Sequence, residues 1–335
     1  MDDELGPVID VHHHWLPREI VDALEQWLPE GLRVERTERI ARVYDPRGSE
    51  VFAVTPLYYD VAQQLADMDV AGVDVALLSG SCYPSWITLP AARLINDAAA
   101  DLAREHGGRL KPMIHVPPFG EAGILEEMER AAKLGLTGVC IATNFRNRYP
   151  DEEVYLPFLQ KAVDLDLVVF VHAAGAPVHS EDLARYDLAR TLGRSLDHCL
   201  VVTRMLYSGV LAGIPGLRMV MPHLGGSFYA HTRRFFESPP QVMTEAPRGG
   251  LEGLLDRLLF DTGPSFWHGP EEIDFAVRSL GLRRVALGSD YPVGADPKVL
   301  SDAVAHVRAL PYPNPDKRRL AGENARDFYG LLVPP

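Results

Sequence analysis

The sequence predicts an α/β protein built as a (β/α)8 barrel, and two observations lead to this fold class. Short β-branched runs alternate with amphipathic stretches along the chain, which is the pattern of parallel strands joined by helices. Eight such runs are present, and eight is the strand number of that barrel. The predicted strands cover residues 8–11, 75–78, 110–116, 139–142, 168–171, 217–221, 258–260 and 285–287.

The intervening helices are predicted from apolar residues that recur every three to four positions. These stretches cover residues 61–71, 91–106, 122–134, 156–165 and 271–280. Residues 31–59 break the repeat, because arginines and alternating apolar residues there predict an inserted hairpin or lid after the first strand. Residues 239–250 are predicted to form a loop. The whole chain, 1–335, is interpreted as a single domain.

Composition narrows the class of partner. The chain has 33 Lys and Arg residues against 46 Asp and Glu residues, a formal net charge of -13, which argues against nucleic acid. The longest apolar stretch is far too short to span a bilayer. Cys82, Cys140 and Cys199 are widely spaced, as expected of reduced thiols, and the acidic N-terminus does not resemble a signal peptide. We therefore expect a cytoplasmic protein that binds a small molecule and neither nucleic acid nor membrane.

Histidines at predicted strand ends give the strongest chemical signal. His12 and His14 are two apart on one strand, so both side chains can face the same cavity. His172, His223 and Asp290 each follow a predicted strand, and the carboxyl ends of all barrel strands open onto one face. Three imidazoles and a carboxylate suit zinc, manganese or iron(II). His223 could be a further ligand or a nearby acid or base, and each histidine taken alone could be a packed core residue.

With these residues, the chain resembles the amidohydrolase superfamily, in the branch typified by aminocarboxymuconate semialdehyde decarboxylase (amidohydrolase-related family 2). The resemblance covers nearly the whole chain. It is carried by the strand that ends at His172 and by the segments 10–14 with Leu16-Pro17, 222–226, 287–292 and 322–325.

This resemblance implies a ligand set and a catalytic residue. One divalent metal, with zinc expected before manganese, would be held by His12, His14, His172 and Asp290. His223 would act as an unligated acid or base. Residues 139–144 contain no lysine that could bridge two metals, so a mononuclear site is expected.

Expectations for the substrate site rest on four residues. Arg234 lies eleven residues after His223, a spacing similar to that of a family arginine that reaches across a dimer interface to a substrate carboxylate, so a homodimer is expected. Trp86, Asn144 and Phe228 are further candidate substrate-binding residues. A second family arginine is absent from residues 51–54, which argues against an aminocarboxymuconate substrate.

The function expected from the resemblance is that of a metal-dependent, non-oxidative decarboxylase of a small aromatic or unsaturated carboxylic acid. His223 or Asp290 would deliver a proton to the carbon that loses CO2. The alternative is a hydrolase or hydratase that uses the same site on a lactone, amide or alkene. A barrel that binds a ligand without turnover is a third interpretation.

Overall fold

The computed structural model describes residues 5–177, 183, 185–237 and 250–332. The strands, numbered in chain order, are β1 Ile9–His14, β2 Arg33–Arg36, β3 Ala41–Tyr44, β4 Glu50–Val54, β5 Val75–Ser79, β6 Leu110–Pro112, β7 Ile114–His115, β8 Val139–Ala142, β9 Val169–His172, β10 Met219–Met221, β11 Leu258–Asp261 and β12 Val285–Ala286.

The longer α-helices follow the barrel strands or the insertion. They are Val61–Ala71, Leu89–His106, Ile124–Lys133, Leu156–Asp164, Arg194–Tyr207, Phe228–Glu237, Pro270–Leu280 and Lys298–Ala309. Shorter helices are Arg18–Asp22, Leu24–Trp27, Val210–Gly213, Pro222–Gly225, Gly250–Leu254, Asn314–Arg318 and Asn324–Tyr329. None of the helices in the described ranges is both long and apolar enough to cross a membrane.

The parallel strands follow one another in chain order, which confirms the predicted (β/α)8 barrel. One sheet has the order β1-β5-β6, and the other runs from β7 through β8, β9, β10 and β11 to β12. Strands β6 and β7 are separated only by Met113, whose N–H donates to the Leu78 carbonyl. The N–H of Val11 donates to the Leu287 carbonyl at 3.1 Å, which links the first strand to the end of the last.

Most predicted boundaries agree with the structure to within two residues. The helix Val61–Ala71 has the predicted bounds, because Asp60 accepts a hydrogen bond from the Gln63 N–H at its start and Gly72, with φ 74°, ends it. The predicted continuous strand 110–116 is wrong, since the strand is interrupted at Met113 and ends at His115. Pro112 stands at this break and has no N–H to give to the ladder.

The segment inserted after β1 is a three-stranded antiparallel sheet of order β2-β3-β4 rather than a single hairpin. Strand β3 alternates buried Ala41 and Val43 with the more exposed Arg42 and Tyr44, as expected for a sheet with one covered face. The predicted loop 239–250 lies outside the described residues except for Gly250, which begins a short helix.

An apolar layer fills the barrel interior below the polar residues. Its buried members are Ile9, Val11, Val75, Leu77, Met113, Cys140, Val168, Phe170, Val220, Leu259, Ala286 and Ala325. The Phe170 ring lies 5.1 Å from the ring of His12, centroid to centroid, so this layer directly supports the predicted metal ligands. The carboxyl ends of the strands are thereby left to carry the polar residues of the site.

Candidate active site

Strand β1 presents two histidines to the barrel axis. The rings of His12 and His14 meet edge to face with centroids 4.9 Å apart. The side chain of His13, between them, does not join this pair. Its ring stacks on Tyr291, and its Nδ1 lies 3.1 Å from Asp10 Oδ2. The pairing of β1 with β5 shifts register between Asp10 and His13, a bulge of the kind found beside active sites.

The four residues predicted to bind metal converge. Their ligand atoms all lie within 4.8 Å of one another, and all four residues are buried. Asp290 Oδ1 is the common point, because it lies 2.6 Å from His14 Nε2, 3.2 Å from His12 Nε2 and 3.9 Å from His172 Nε2. These are the residues His12, His14, His172 and Asp290.

The other ring nitrogen of each histidine faces a fixed polar group. His12 Nδ1 lies 3.0 Å from Asp261 Oδ2, and His14 Nδ1 lies 2.9 Å from Ser79 Oγ. His172 Nδ1 donates to the carbonyl of Ala173 at 2.9 Å. An Nδ1–H held by a carboxylate or carbonyl leaves the Nε2 lone pair free, and this is the usual arrangement around metal-binding histidines.

These residues fit a divalent metal ion. Within the described ranges, Nε2 of His12 and Nε2 of His172 are buried without a hydrogen-bond partner. Buried polar atoms without partners are unfavourable, whereas coordination would satisfy both. Three imidazole nitrogens and one carboxylate oxygen form a donor set suited to zinc or manganese.

The electrostatics of the metal-free cluster are dominated by Asp290. Burial alone would lower the pKa of His12, but the charges of Asp261 and Asp290 outweigh it and raise the pKa to about 10. Burial lowers the pKa of His14 to about 3. Burial opposes ionisation of Asp290, yet the nearby His12 charge and hydrogen bonds from the histidines hold the pKa of that carboxyl well below its usual range. Asp290 is therefore an anion, as a ligand must be.

His223 lies beside this cluster without contacting Asp290 at ion-pair distance. Its ring centroid is 5.0 Å from that of His12, and its Nδ1 donates to the Gly263 carbonyl at 3.0 Å. Burial lowers the pKa of His223 well below its usual value, so the ring is neutral near pH 7. His223 thus has an unprotonated Nε2 that can accept and return a proton.

Asp261 connects His223 to His12. Its Oδ1 accepts the backbone N–H groups of His223 at 3.1 Å and of Gly263 at 3.0 Å, while its Oδ2 faces His12. His12, His223 and Asp261 also form a second group whose ligand atoms lie within 4.8 Å of one another. Asp261 was not among the predicted site residues, although it ends strand β11 as His172 ends β9.

The backbone at two of these residues adopts an unfavourable conformation. His223 has φ 56° and Asp290 has φ 61°, both in the left-handed region that costs a non-glycine residue about 1 kcal/mol or more. The N–H of Asp290 donates to the His12 carbonyl at 2.8 Å, which holds this geometry. A Cβ at Gly288 would lie 2.7 Å from Asp261 Cβ and 2.9 Å from His12 Cβ, so only glycine allows this approach.

The four predicted substrate-binding residues lie in different places. Trp86 and Asn144 line a cavity of about 380 Å³, in which Asn144 donates to the Ala176 carbonyl and to Asp197. Phe228 is fully buried in the core, stacked between Phe235 and Phe260. Arg234 is exposed on the helix Phe228–Glu237.

A second cavity, of about 410 Å³, adjoins the histidine cluster. Tyr58, in its wall, stacks parallel to the His14 ring at 6.0 Å, and Cys82 also lines it. Three arginines line it, Arg42, Arg190 and Arg194. Cys82 and the arginines of residues 31–59, which include Arg42, were not predicted to belong to the site, and neither were Arg190 and Arg194.

A known protein family matches nearly the whole chain. The family model Amidohydro_2, described as amidohydrolase, matches residues 9–331. The chain is a member of this amidohydrolase family. The predicted resemblance is therefore confirmed.

Relatives of this amidohydrolase carry names of two activities. A 2-amino-3-carboxymuconate-6-semialdehyde decarboxylase from Dictyostelium discoideum is 26% identical over 283 residues, which cover 82% of this chain and 77% of the relative. A 2-keto-4-carboxy-3-hexenedioate hydratase from Sphingobium sp. is 22% identical over 349 residues, 97% of this chain and 96% of the relative.

A solved structure shows the same fold. It is a 5-carboxyvanillate decarboxylase from Novosphingobium aromaticivorans, complexed with manganese and 4-hydroxy-3-methoxy-5-nitrobenzoic acid. It superposes with a TM-score of 0.78 at 20% identity and covers 99% of this chain and 98% of its own. The family match and this superposition together agree with the barrel predicted from the sequence.

Proposed function

We propose that this amidohydrolase removes CO2, without oxidation, from a small aromatic or unsaturated carboxylic acid. One observation carries the proposal: three buried imidazoles direct Nε2 towards a single ionised carboxylate, and a neutral histidine stands beside them. This arrangement supplies a metal-binding group and a separate proton carrier, which are the two components that such a reaction needs.

We propose one divalent metal ion per chain, zinc in the first place and manganese as the alternative. Its ligands would be His12, His14, His172 and Asp290. A bound ion supplies positive charge that stabilises an electron-rich organic intermediate. In this chain, the Ala173 carbonyl accepts Nδ1–H of His172, and Asp261 Oδ2 lies 3.0 Å from Nδ1 of His12, so that Nε2 of both rings is directed towards Asp290.

We assign proton transfer to His223, with Asp290 as the alternative carrier. The Gly263 carbonyl fixes the proton on Nδ1, so Nε2 can take a proton from the substrate or from water. Because burial lowers the pKa of this ring, a proton placed on Nε2 is released readily. Its transfer to the carbon that lost CO2 completes the reaction, in which one carboxylate and one proton give CO2 and a C–H bond.

We also propose that the chain forms a single domain over residues 1–335 and acts in the cytoplasm.

We propose further that the protein is a homodimer. The exposed position of Arg234 supports a dimer, because an arginine on a free helix face is accessible to a second subunit. Light scattering at micromolar concentration would give twice the chain mass of 37.0 kDa for a dimer. A single chain mass would contradict this proposal.

The direct test is product analysis with the purified protein loaded with zinc or manganese. Hydroxybenzoates and 5-carboxyvanillate would be incubated in D2O, with CO2 measured in the gas phase and deuterium at the product carbon measured by mass spectrometry. We expect equal amounts of CO2 and of singly deuterated product.

The alternative activity, hydrolysis or hydration at the same site, is favoured by the hydratase relative. A parallel incubation in ¹⁸O-labelled water, with lactones and unsaturated acids added, distinguishes the two. Label in the product without CO2 release would contradict the decarboxylase proposal and support the hydratase. The His223→Asn protein serves as the control for background chemistry.

A further inference from the structure

Three arginines line the cavity of about 410 Å³ beside the histidine cluster, and they differ in their acidic partners. Arg42 Nε lies 3.1 Å from Glu50 Oε2, and Arg190 Nη2 lies 2.6 Å from Asp187 Oδ2. Among the residues that the structure describes, no carboxylate lies within ion-pair distance of Arg194. Of the three guanidinium groups in this wall, that of Arg194 alone lacks an acidic partner in the described ranges.

The Arg194 side chain is held in place by hydrogen bonds through Nη2, whereas its Nε–H has no acceptor among the described residues. Nη2 donates to the Val51 carbonyl at 2.8 Å and lies 3.4 Å from that of Gly175, which ties the helix Arg194–Tyr207 to the inserted sheet. Nε is buried and has no hydrogen-bond partner within the described residues. The guanidinium is therefore fixed through Nη2, and its positive charge faces the cavity wall with no acidic partner among the described residues.

Arg194 is close to the metal-binding cluster but separate from it. Arg194 lines the cavity together with Cys82 and Tyr58, and the Tyr58 ring stacks on that of His14, a proposed metal ligand, at 6.0 Å. The volume of the cavity lies within the range of small-molecule sites.

We propose that Arg194 binds a second carboxylate of the substrate, one that is not lost, so that the site selects dicarboxylic over monocarboxylic acids. This inference rests on the proposed function only in taking the substrate to be a carboxylic acid. Guanidinium recognises carboxylate by two parallel N–H···O bonds, which a neutral amide cannot reproduce. Arg194 is then a specificity-determining residue contributed by the helix that follows β9.

Calorimetric binding to the metal-loaded protein tests this proposal without any turnover. The probes are isophthalate and terephthalate, which carry two carboxylates in different geometry, and benzoate, which carries one. We expect the better dicarboxylate to bind at least about tenfold more tightly than benzoate, the contribution of one charge-assisted contact. In Arg194→Gln, we expect this preference to fall below about threefold while benzoate affinity changes little.

Two further variants separate recognition from structure. Arg190→Gln, in the same wall but paired with Asp187, should keep most of the preference. Arg194→Lys should keep an intermediate preference, because it retains the charge but loses the fork geometry. If Arg194 only supports the fold, Arg194→Gln would weaken the binding of benzoate and dicarboxylate equally, and the ratio would survive.

Several results would overturn the inference. They are equal affinity of the wild-type protein for all three probes, no dicarboxylate binding at millimolar concentration, a preference that survives in Arg194→Gln, or an equal loss in Arg190→Gln. Failure of the proposed function would instead be seen as absence of CO2 release, a readout that these binding ratios do not use.

Discussion

Two groups among the buried histidines of this barrel differ in what their nitrogens face. In the first group, His12, His14 and His172 direct Nε2 towards Asp290. In the second group, His115 and His198 meet only backbone groups. His198 has Nδ1 3.0 Å from the Arg194 carbonyl and Nε2 3.2 Å from that of Val171, and His115 Nδ1 lies 3.0 Å from the Met113 carbonyl.

The electrostatic consequences differ accordingly. Burial lowers the pKa of both His115 and His198 to about 4, so these rings are neutral packing elements. In the first group, burial also lowers the pKa of His14, but the carboxylates reverse the effect of burial at His12, whose pKa is raised to about 10, and Asp290 helps to raise that of His172. Burial alone therefore does not identify a metal ligand, whereas a shared buried carboxylate does.

The largest effect is expected from removing that carboxylate. Asp290→Ala should abolish tight metal binding and reduce turnover by more than about a thousandfold, because one ligand, and with it the anion that the three Nε2 atoms share, is lost. Equilibrium dialysis against zinc, together with CO2 release, measures both. Tight zinc binding by this variant would place the metal elsewhere.

A smaller and selective effect is expected at His223. His223→Asn should keep the metal and lower kcat by about 10²- to 10⁴-fold, because proton transfer is removed while the ligands remain. Metal content and kcat measured on the same preparation check this. Loss of metal would make His223 a ligand, and unchanged kcat would remove its role as proton carrier.

Asp261→Asn should have a weaker effect on the metal than Asp290→Ala. The amide oxygen can still accept the backbone N–H groups of His223 and Gly263, but the amide nitrogen would face His12 Nδ1. That arrangement favours the His12 tautomer that carries its proton on Nε2, the atom that would bind the metal. Metal affinity should therefore fall by about 10- to 100-fold. Titration against a chelator measures the affinity, and an affinity equal to that of wild type would show that Asp261 does not position His12.

The smallest effect is expected in the second group, at His115. The folded pKa of about 4 lies below the unfolded value of 6.5, so the unfolded chain binds more protons between these values and stability falls as pH falls. From pH 7 to pH 5, His115 should account for a loss of up to about 2 kcal/mol.

Urea unfolding of the metal-free wild-type and His115→Gln proteins at both pH values measures this contribution. The variant should lose less stability on acidification and, once metal is added, should bind it as the wild type does. An identical pH dependence in the two proteins would contradict the assignment of His115 as a buried neutral ring.

The sequence predicted those parts of the site that local patterns encode. His172 and Asp290 were predicted because polar residues at strand ends share one barrel face, and by that criterion Asp261 could also have been predicted. Arg194 could not, because its position depends on contacts with Val51 and Gly175, which only the packing of the inserted sheet over the barrel brings near. Phe228 was a candidate for the pocket, yet the structure places it in the core, since helix periodicity does not show which apolar residue faces a cavity.

Most helix and strand boundaries were predictable because the signals that set them are local. β-branched runs and helix caps act over a few residues, and the boundaries at Val61–Ala71 follow from Asp60 and Gly72 alone. The interruption of the strand at Met113 could also have been predicted, because the adjacent Pro112 has no N–H for the ladder.

Metal content per chain tests the central claim most directly. Protein purified without added metal or a histidine tag would be measured by inductively coupled plasma mass spectrometry, before and after reconstitution, with X-ray absorption to count imidazole neighbours. We predict about one divalent ion per chain with three imidazole ligands. Two ions per chain, with the second at His12, His223 and Asp261, or none after reconstitution, would contradict a mononuclear centre built on Asp290.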